Sequence, residues 1–182
     1  GYLNKVAVTA KADIDADLTR NRYTLLKNEI KLNELDLKLD GYTQLNDRDI
    51  DIDFTFSTPN ESFRNFISIL PAVYSKDFKN VKTEGQASVN GFIRGKYAEK
   101  PASLPGFDIK VKINNGFLQY PGFNETISAV NADIQCKAER SDYKDLAILI
   151  PVFSMKIGKD FVDGNISVTN AAGNGKASGK VH

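Results

Sequence analysis

Two rows of aspartates are the residues of this chain whose spacing is best suited to chemistry. Asp13, Asp15 and Asp17 form one row, and Asp47, Asp49, Asp51 and Asp53 form the other. Paired carboxylates can act as general acid and base, and converging carboxylates can bind calcium. On a strand, however, carboxylates two residues apart point to one face about 6–7 Å from each other. We therefore predict solvated rows that lysines face across neighbouring strands. The lysines expected opposite them are Lys27, Lys31, Lys110 and Lys112.

Nucleophilic and nucleotide chemistry have little support in the sequence. Cys136 is the only cysteine and His182, the last residue, is the only histidine. Cys136 therefore lacks a base to activate it, and we interpret it as a small residue on a strand face. The run 173–175 resembles a dinucleotide-binding loop but lacks the third glycine and a following helix. No G-x-S-x-G elbow or P-loop occurs. We predict no enzymatic activity, no metal site and no cofactor.

The charge balance also limits the partners of this chain. Its 24 lysines and arginines almost equal its 23 aspartates and glutamates, which gives a formal net charge of +1. Such a balance provides no basic patch of the kind that binds nucleic acid or an anionic membrane surface. No stretch approaches the roughly 18 apolar residues of a membrane-spanning helix. We therefore expect no nucleic-acid partner and a segment that lies outside the membrane.

The elements that position these residues are strands, because apolar residues recur at every second position. The longest runs cover 6–18, 50–56, 107–113 and 130–138. Successive strand residues point to opposite faces, so each run predicts a strand with one apolar and one polar face. The first run is more than twice the usual strand length of about 5–6 residues. The pattern predicts a mainly β fold with unusually long strands.

One segment has the helical period instead. Thr58, Pro59 and Glu61 match a helix N-cap, a first-turn proline and the Glu of a capping box. The apolar residues that follow them lie on one face of a helix. These residues are Phe63, Phe66, Ile67, Leu70 and Tyr74. The sequence therefore predicts one amphipathic helix at about 59–76, with a kink at Pro71.

These elements predict a single β-rich domain over 1–182. We expect a long, curved, mostly antiparallel sheet, either an open trough or sandwich-like. Residues 146–153 are apolar on both faces and predict a central strand that is covered on both sides. The phase change at 33–34 predicts a bulge, and 40–41 and 114–116 predict turns. Residues 170–182 predict a weak edge strand or a disordered tail.

A sheet with one continuous apolar face needs a second layer, and a single helix covers only part of it. On pattern alone a closed sandwich with a dry core is favoured, while a bound apolar ligand is the functional alternative. The candidates for a lipid-binding face are Ile50, Ile52, Phe54, Phe56, Phe107, Ile109, Val111 and Ile113. The candidates for a cap or gate of that groove are Phe63, Phe66, Ile67 and Leu70.

Several spaced motifs resemble the AsmA family in its Bacteroidetes-type members. The first run covers 58–63, 69–74, 76–78 and 81–85; the second covers 115–121 and 127–134; the third covers 153–158 with 161–164. The resemblance extends over roughly residues 45–169 and includes no catalytic signature. Residues 2–40 are compatible only through their strand pattern, and the tail does not match.

The resemblance implies a non-catalytic, periplasmic protein that is anchored in the inner membrane and related to TamB and YhdP. AsmA-like sheets form a trough with an apolar interior that carries phospholipids toward the outer membrane, and members are linked to outer-membrane protein assembly. This chain would then be an excised periplasmic segment. Its expected partners are phospholipid or fatty acyl chains, and outer-membrane assembly proteins.

Two other functions remain open at this point. A closed β scaffold or interaction module for outer-membrane protein assembly would need no ligand, and its apolar face would be inaccessible. A carbohydrate-binding sandwich is weakened by the absence of tryptophan, since aromatic platforms usually bind sugars; the seven tyrosines keep it open. The accessibility of the apolar face distinguishes the lipid-binding hypothesis from the closed scaffold.

Overall fold

A computed structural model describes residues 6–59, 61–68, 81–121 and 124–182. Over these residues the chain is mainly β, as predicted. The elements are β1 (Val8–Asp17), β2 (Arg22–Leu32), β3 (Leu35–Leu45), β4 (Asp49–Ser57), β5 (Glu61–Ser62), α1 (Phe63–Ile67), β6 (Lys82–Glu99), β7 (Ala102–Ser103), β8 (Gly106–Gln119), β9 (Ile127–Ala138), β10 (Ala147–Ile157), β11 (Asp160–Thr169) and β12 (Lys176–Val181).

All the strands belong to one 12-stranded sheet, and every described pairing is antiparallel. The order along the sheet is β1-β2-β3-β4-β6-β8-β9-β10-β11-β12, with the short β5 and β7 paired to β6. The chain thus runs as a meander in which each long strand lies beside the next. In the described part of the chain, β1 and β12 form the two edges and no second sheet packs on the first.

The alternation of the sequence divides this sheet into two faces. Directly opposed residues share a face, so Phe54 of β4 lies on the same side as Ile93 of β6 and Phe107 of β8. We call this side the apolar face. The other side, which carries Asp53 and Arg94, is the charged face. The division continues to both edges, because Val8 to Ala16 of β1 and Ala177 to Val181 of β12 extend the apolar face at every second position.

Three local predictions are wrong, and at two of them long-range strand pairing outweighs a turn signal. The turn lies at 33–34 between β2 and β3, where a bulge was expected. Gly41 does not form a turn: it lies inside β3 with φ 139° and faces Phe54 across the ladder. Asn115 has φ 49° but lies inside β8, whose pairing to β9 shifts in register on either side of Gly116.

The helix begins later than predicted, at Phe63, and its described part is Phe63–Ile67. Thr58 is buried and pairs with β6: its N–H donates to Val89 O (2.8 Å), and its Oγ1 accepts the Val89 N–H (2.9 Å). The capping box fails because these groups bond to a neighbouring strand. Ser62 is the N-cap instead and accepts the N–H of Arg64. The predicted residues 69–76, including Leu70, lie outside the described residues.

Two further predictions concern the last third of the chain. β10 is central in the sheet, between β9 and β11, but it is not covered on both faces, since Val152 is 54% exposed and Ile148 37% exposed. Of the two alternatives for 170–182, the structure has the edge strand, in which every residue is exposed. Within the described ranges no helix is long and apolar enough to cross a membrane.

Candidate functional site

The eight predicted lipid-binding residues lie on one face, in two strands that are separated by β6. The even positions of β4 and the odd positions of β8 face the odd positions of β6 on either side. Ile93 joins the two groups in a cross-strand row, since it pairs with Phe54 on one side and Phe107 on the other. Val89 likewise extends the row of Val111 toward β4. The structure therefore brings the two groups into one apolar band.

A glycine makes room for the largest side chain of this band. Gly91 of β6 lies between Phe56 and Ile109 in the next row. A Cβ at Gly91 would lie 2.8 Å from Phe56 Cζ and 2.4 Å from the backbone oxygen of Asp108. The Phe56 ring thus occupies the space above Gly91. The same row continues into Cys136, where burial raises the pKa of the thiol.

The band is only partly covered. All eight predicted residues are half-buried, and none belongs to the buried core of the described chain. The apolar residues of that core are Leu35, Val81, Ala87, Ala138, Ala147 and Phe153. Ala138 and Ala147 flank the loop 139–146, and Ala87 pairs with β5 beside α1. The central rows have lateral neighbours in the sheet but no described layer above them.

The helix covers one end of the band. α1 packs against β5 and β6, and β5 pairs with β6 at Ala87, which itself faces Ile113 of β8. Phe63 and Phe66 are half-buried there, so these two predicted gate residues lie at the Ile113 end rather than over the centre. Ile67 is the last residue of α1.

Asn33 connects this end of the sheet to the helix. Its Nδ2 donates to the backbone oxygen of Ser68, the C-cap of α1, at 2.6 Å. Its Oδ1 accepts the N–H of Ala7 at 2.8 Å, just before β1. Asn33 has φ 54°, a backbone conformation that asparagine tolerates better than most residues. One turn residue therefore holds β1, β2 and α1 together.

A loop covers the opposite end. The ring of Tyr143, in the loop 139–146, meets Phe107 edge to face at 5.4 Å between centroids. Its hydroxyl donates to the backbone oxygen of Pro105 at 2.8 Å, and burial raises the pKa of the phenol. The N–H groups of Glu139 and Arg140 donate to the Asp145 carboxylate, which fixes the loop. The apolar band is thus bounded by Tyr143 at one end and by α1 at the other.

The charged face is satisfied by pairs within the sheet. Lys96 Nζ lies 2.9 Å from Asp49 and 3.6 Å from Asp51, and Arg94 Nε lies 2.9 Å from Asp53. The hydrogen bond from Lys96, with a second from an asparagine side chain, lowers the pKa of Asp49. The second aspartate row is therefore faced by cations of β6.

The prediction that four lysines face the two aspartate rows is only partly confirmed. Lys27 lies opposite Asp13 in the β1–β2 register, as expected. Lys110 and Lys112 do not face the second row, because β6 lies between β4 and β8; Lys112 instead pairs with Asp133 at 3.6 Å. In the described part of the chain, no group of three or more acidic, histidine or cysteine side chains is placed to hold a metal ion.

Shallow cavities occur on the charged face. One of about 410 Å³ lies over β1–β3 between residues of both charges, including Lys11, Asp13 and Lys38. Another of about 280 Å³ lies over β8 and β9 beside Lys112 and Gln135. Their linings mix acids, lysines and amides without a buried charged group. The lining of the second cavity also includes Val111 and Ile134.

Sequence reasoning missed the members of the band that β6 and β9 contribute. Val89 and Ile93 lie in a strand that is interrupted by glycines and only weakly apolar, so β6 gave no strong signal. Ile134 belongs to a run with clear alternation and directly faces Val111. The alternation of that run shows on which face Ile134 lies, but the strand order is needed to place Ile134 beside β8.

Comparison with known proteins gives no assignment. No protein-family model matches this chain, no curated protein matches it, and no solved structure matches it. The resemblance to the AsmA family therefore stays a prediction.

Proposed function

We propose that the apolar face binds the acyl chains of phospholipids or fatty acids without catalysing a reaction. The observation behind this proposal is the half-buried band between α1 and the loop 139–146, which has apolar neighbours on both sides and no described layer above it. In the biological setting that the AsmA resemblance implies, this chain is a periplasmic segment of an inner-membrane-anchored protein that moves phospholipid or supports outer-membrane biogenesis.

The chemistry of the band suits an acyl chain better than a polar ligand. Acyl chains contain no hydrogen-bonding group, and their burial contributes about 25 cal/mol per Å² of apolar surface without polar partners. Ile52, Phe54 and Val111 provide such surface and no donor or acceptor of their own. Lipid selection would then depend on shape and length rather than on directional contacts.

The dimensions also agree with an acyl ligand. An acyl chain is about 15 Å long, half of the roughly 30 Å hydrocarbon core of a bilayer. Neighbouring strands lie about 4.8 Å apart, so a chain laid across the sheet contacts three to four strands. The rows that join β4, β6, β8 and β9 have this span. Phe54 and Ile93 lie in one such row, and Val111 lies two rows further along the strands.

The test is the retention of a labelled phospholipid by the folded protein. Phe54→Asp and Val111→Asp each place a carboxylate in the band, where an acyl contact would desolvate it, and we expect each to reduce retention about tenfold or more. Thr55→Asp and Lys110→Asp are the matched controls, since each introduces the same carboxylate one residue away on the charged face.

Far-ultraviolet circular dichroism must show the strand content of wild type in all four variants. Equal retention by the apolar-face variants and their controls would contradict the proposal. A protein that retains no phospholipid but captures an outer-membrane assembly protein through the same face would support the scaffold function instead.

A further inference from the structure

One buried hydroxyl of the sheet has no hydrogen-bond partner. The Oγ1 atom of Thr83, near the start of β6, is shielded from solvent and forms no hydrogen bond within the described part of the chain. Such a group destabilises the folded protein, and buried polar groups in native proteins are nearly always bonded. The residue as a whole is only half-buried, so its side chain borders the surface of the sheet. The hydroxyl is therefore a donor that an acceptor from outside the chain can satisfy.

Thr83 lies at the end of a row of aliphatic side chains that crosses four strands. It is directly opposed to Leu118 of β8, and Leu118 is opposed to Ile127 of β9. Ile127 is in turn opposed to Ile157 of β10. Directly opposed residues share a face, and alternation along β6 puts Thr83 on the same side as Ala87, at one end of the apolar band. We call these four residues the Thr83 row, which has one donor at one end and three aliphatic side chains beyond it.

Two bulges bring the aliphatic members of this row to the apolar face. In β8, one extra residue lies between Ile113 and Gly116 relative to the paired strand. In β9, one extra residue lies between Ile127 and Val130. Each bulge reverses the alternation of its strand. Without them, strict alternation would turn Leu118 and Ile127 toward the charged face.

The two bulges have uncommon backbone conformations and share one supporting side chain. Asn115 in β8 has φ 49° and Ala129 in β9 has φ 50°, values that few residues other than glycine adopt. Asn131 Oδ1 accepts the N–H of Asn115 at 3.0 Å, and its Nδ2 donates to the backbone oxygen of Ala129 at 3.0 Å. Bulges that re-aim side chains are frequent beside functional sites. Here the consequence of a disfavoured conformation is a continuous Thr83 row on the apolar face.

We propose that the Thr83 row is a subsite for one acyl chain, whose carbonyl oxygen accepts a hydrogen bond from the Thr83 hydroxyl. The inference rests on the proposed acyl-binding function and adds the position and direction of the ligand. Rotation about χ1 to another staggered rotamer turns the hydroxyl toward the ligand. Four strands spaced by about 4.8 Å span about 14 Å, close to the roughly 15 Å of an acyl chain. The methyl end of the chain then reaches Ile157, which is 37% exposed.

The experiment compares the affinities of the lipid-free protein for hexadecanoic acid, a phospholipid with two hexadecanoyl chains, and hexadecane. Hexadecane has the same chain length but no carbonyl group. Thr83→Val removes the hydroxyl and keeps the shape of the side chain. It should weaken binding of the acid, the phospholipid or both about five- to tenfold, which identifies the source of the carbonyl, and leave hexadecane binding unchanged. Thr83→Ser keeps the hydroxyl and should bind all three probes like wild type.

Matched variants test the other end of the row and the loss of a hydroxyl elsewhere. Ile157→Asp should reduce the affinity for all three probes about tenfold, because the methyl end of the chain would desolvate the new carboxylate. Lys156→Asp places the same carboxylate one residue away on the charged face and should bind like wild type. Thr55→Val removes an exposed hydroxyl on the charged face and should also bind like wild type.

The stability of the lipid-free protein tests the unpartnered state of the hydroxyl. Thr83→Val should have a urea midpoint at or above that of wild type, since it removes a buried group that lacks a partner. A midpoint below that of wild type would show that the hydroxyl is already bonded in the lipid-free protein and would overturn the proposal.

The binding results separate failure of this subsite from failure of the proposed function. Unchanged affinity of Thr83→Val for both acyl ligands, or an equal loss for hexadecane, would overturn the subsite while acyl binding itself stands. A wild type that binds none of the three probes would contradict the proposed function and the subsite with it. Circular dichroism of each variant must match wild type, and Thr83→Ala replaces Thr83→Val if the latter does not fold.

Discussion

The two faces of this sheet have the same strands, the same register and opposite chemistry. On the charged face, Asp53 of β4 has its counter-ion Arg94 directly opposite on β6, 2.9 Å away. On the apolar face, Phe54 has Ile93 beside it but no described element above it. The charged side chains find partners on neighbouring strands. The apolar side chains have neighbours beside them but no described layer above them.

This difference indicates which face needs a partner. Lateral contacts neutralise charges, because an ion pair needs only one neighbour at the right distance. They do not remove an apolar side chain from water, because its outer surface needs a second layer. Among the described residues, helix α1 and Tyr143 provide that layer only at the ends of the band. The apolar face is therefore the one that still lacks a covering layer over its described centre.

We expect the largest loss of stability from filling the space over Gly91. Gly91→Ala places a Cβ 2.4 Å from the Asp108 backbone oxygen and 2.8 Å from Phe56 Cζ. Either the pairing of β6 with β8 or the Phe56 ring must therefore shift. We expect the free energy of unfolding to fall by about 1–3 kcal/mol, measured by urea denaturation. Gly173→Ala is the matched control, since the atom nearest to its Cβ would be the Asn170 backbone oxygen at 4.0 Å.

An unchanged unfolding free energy in Gly91→Ala would show that the Phe56 ring is not packed over β6. Equal losses in Gly91→Ala and Gly173→Ala would instead show a general effect of replacing glycine. Either result would contradict close packing of the Phe56 ring over Gly91 in the apolar band.

A smaller effect is expected from the charged face. Lys96→Gln removes the partner that lowers the pKa of Asp49. A carboxylate with a lowered pKa contributes stability above its unfolded pKa of about 3.9, and that contribution is lost as pH falls through the lower folded value. The urea midpoint of the variant should therefore lie slightly below that of wild type at pH near 7, and the gap should shrink in acid.

Equal midpoint differences at neutral and acidic pH would contradict this account of Asp49. If Lys96→Gln lowered the free energy of unfolding at neutral pH by more than Gly91→Ala does, the expected order of the two effects would be reversed. Exposed ion pairs contribute little to stability because water and salt screen them, which is why the ranking places this change last.

Much of the sheet follows from the sequence because its signal is local. The alternation in β4, β8 and β9 gives strand position and face directly, and the eight apolar residues do share one side. The signal is weaker in β6, because its glycines hide how apolar its inner face is. The parity of an alternating run is therefore sufficient to assign residues to a face.

The rest depends on contacts between distant residues. Thr58 has the right spacing for a helix cap but bonds to Val89, 31 residues away, so the helix begins later. Gly41 has the composition of a turn but faces Phe54 inside a ladder. Whether the sheet closes on itself is decided by the pairing of its edges, and no local pattern contains that information.

Organic extraction and mass spectrometry of the protein purified without detergent would show whether the apolar face holds acyl chains. We expect phospholipid or fatty acid at about one molecule or more per chain in wild type and a marked loss in Val111→Asp. The Lys110→Asp control should retain the wild-type amount. A wild-type protein that carries no lipid and takes up none when phospholipid vesicles are added would contradict the claim that the apolar face binds acyl chains.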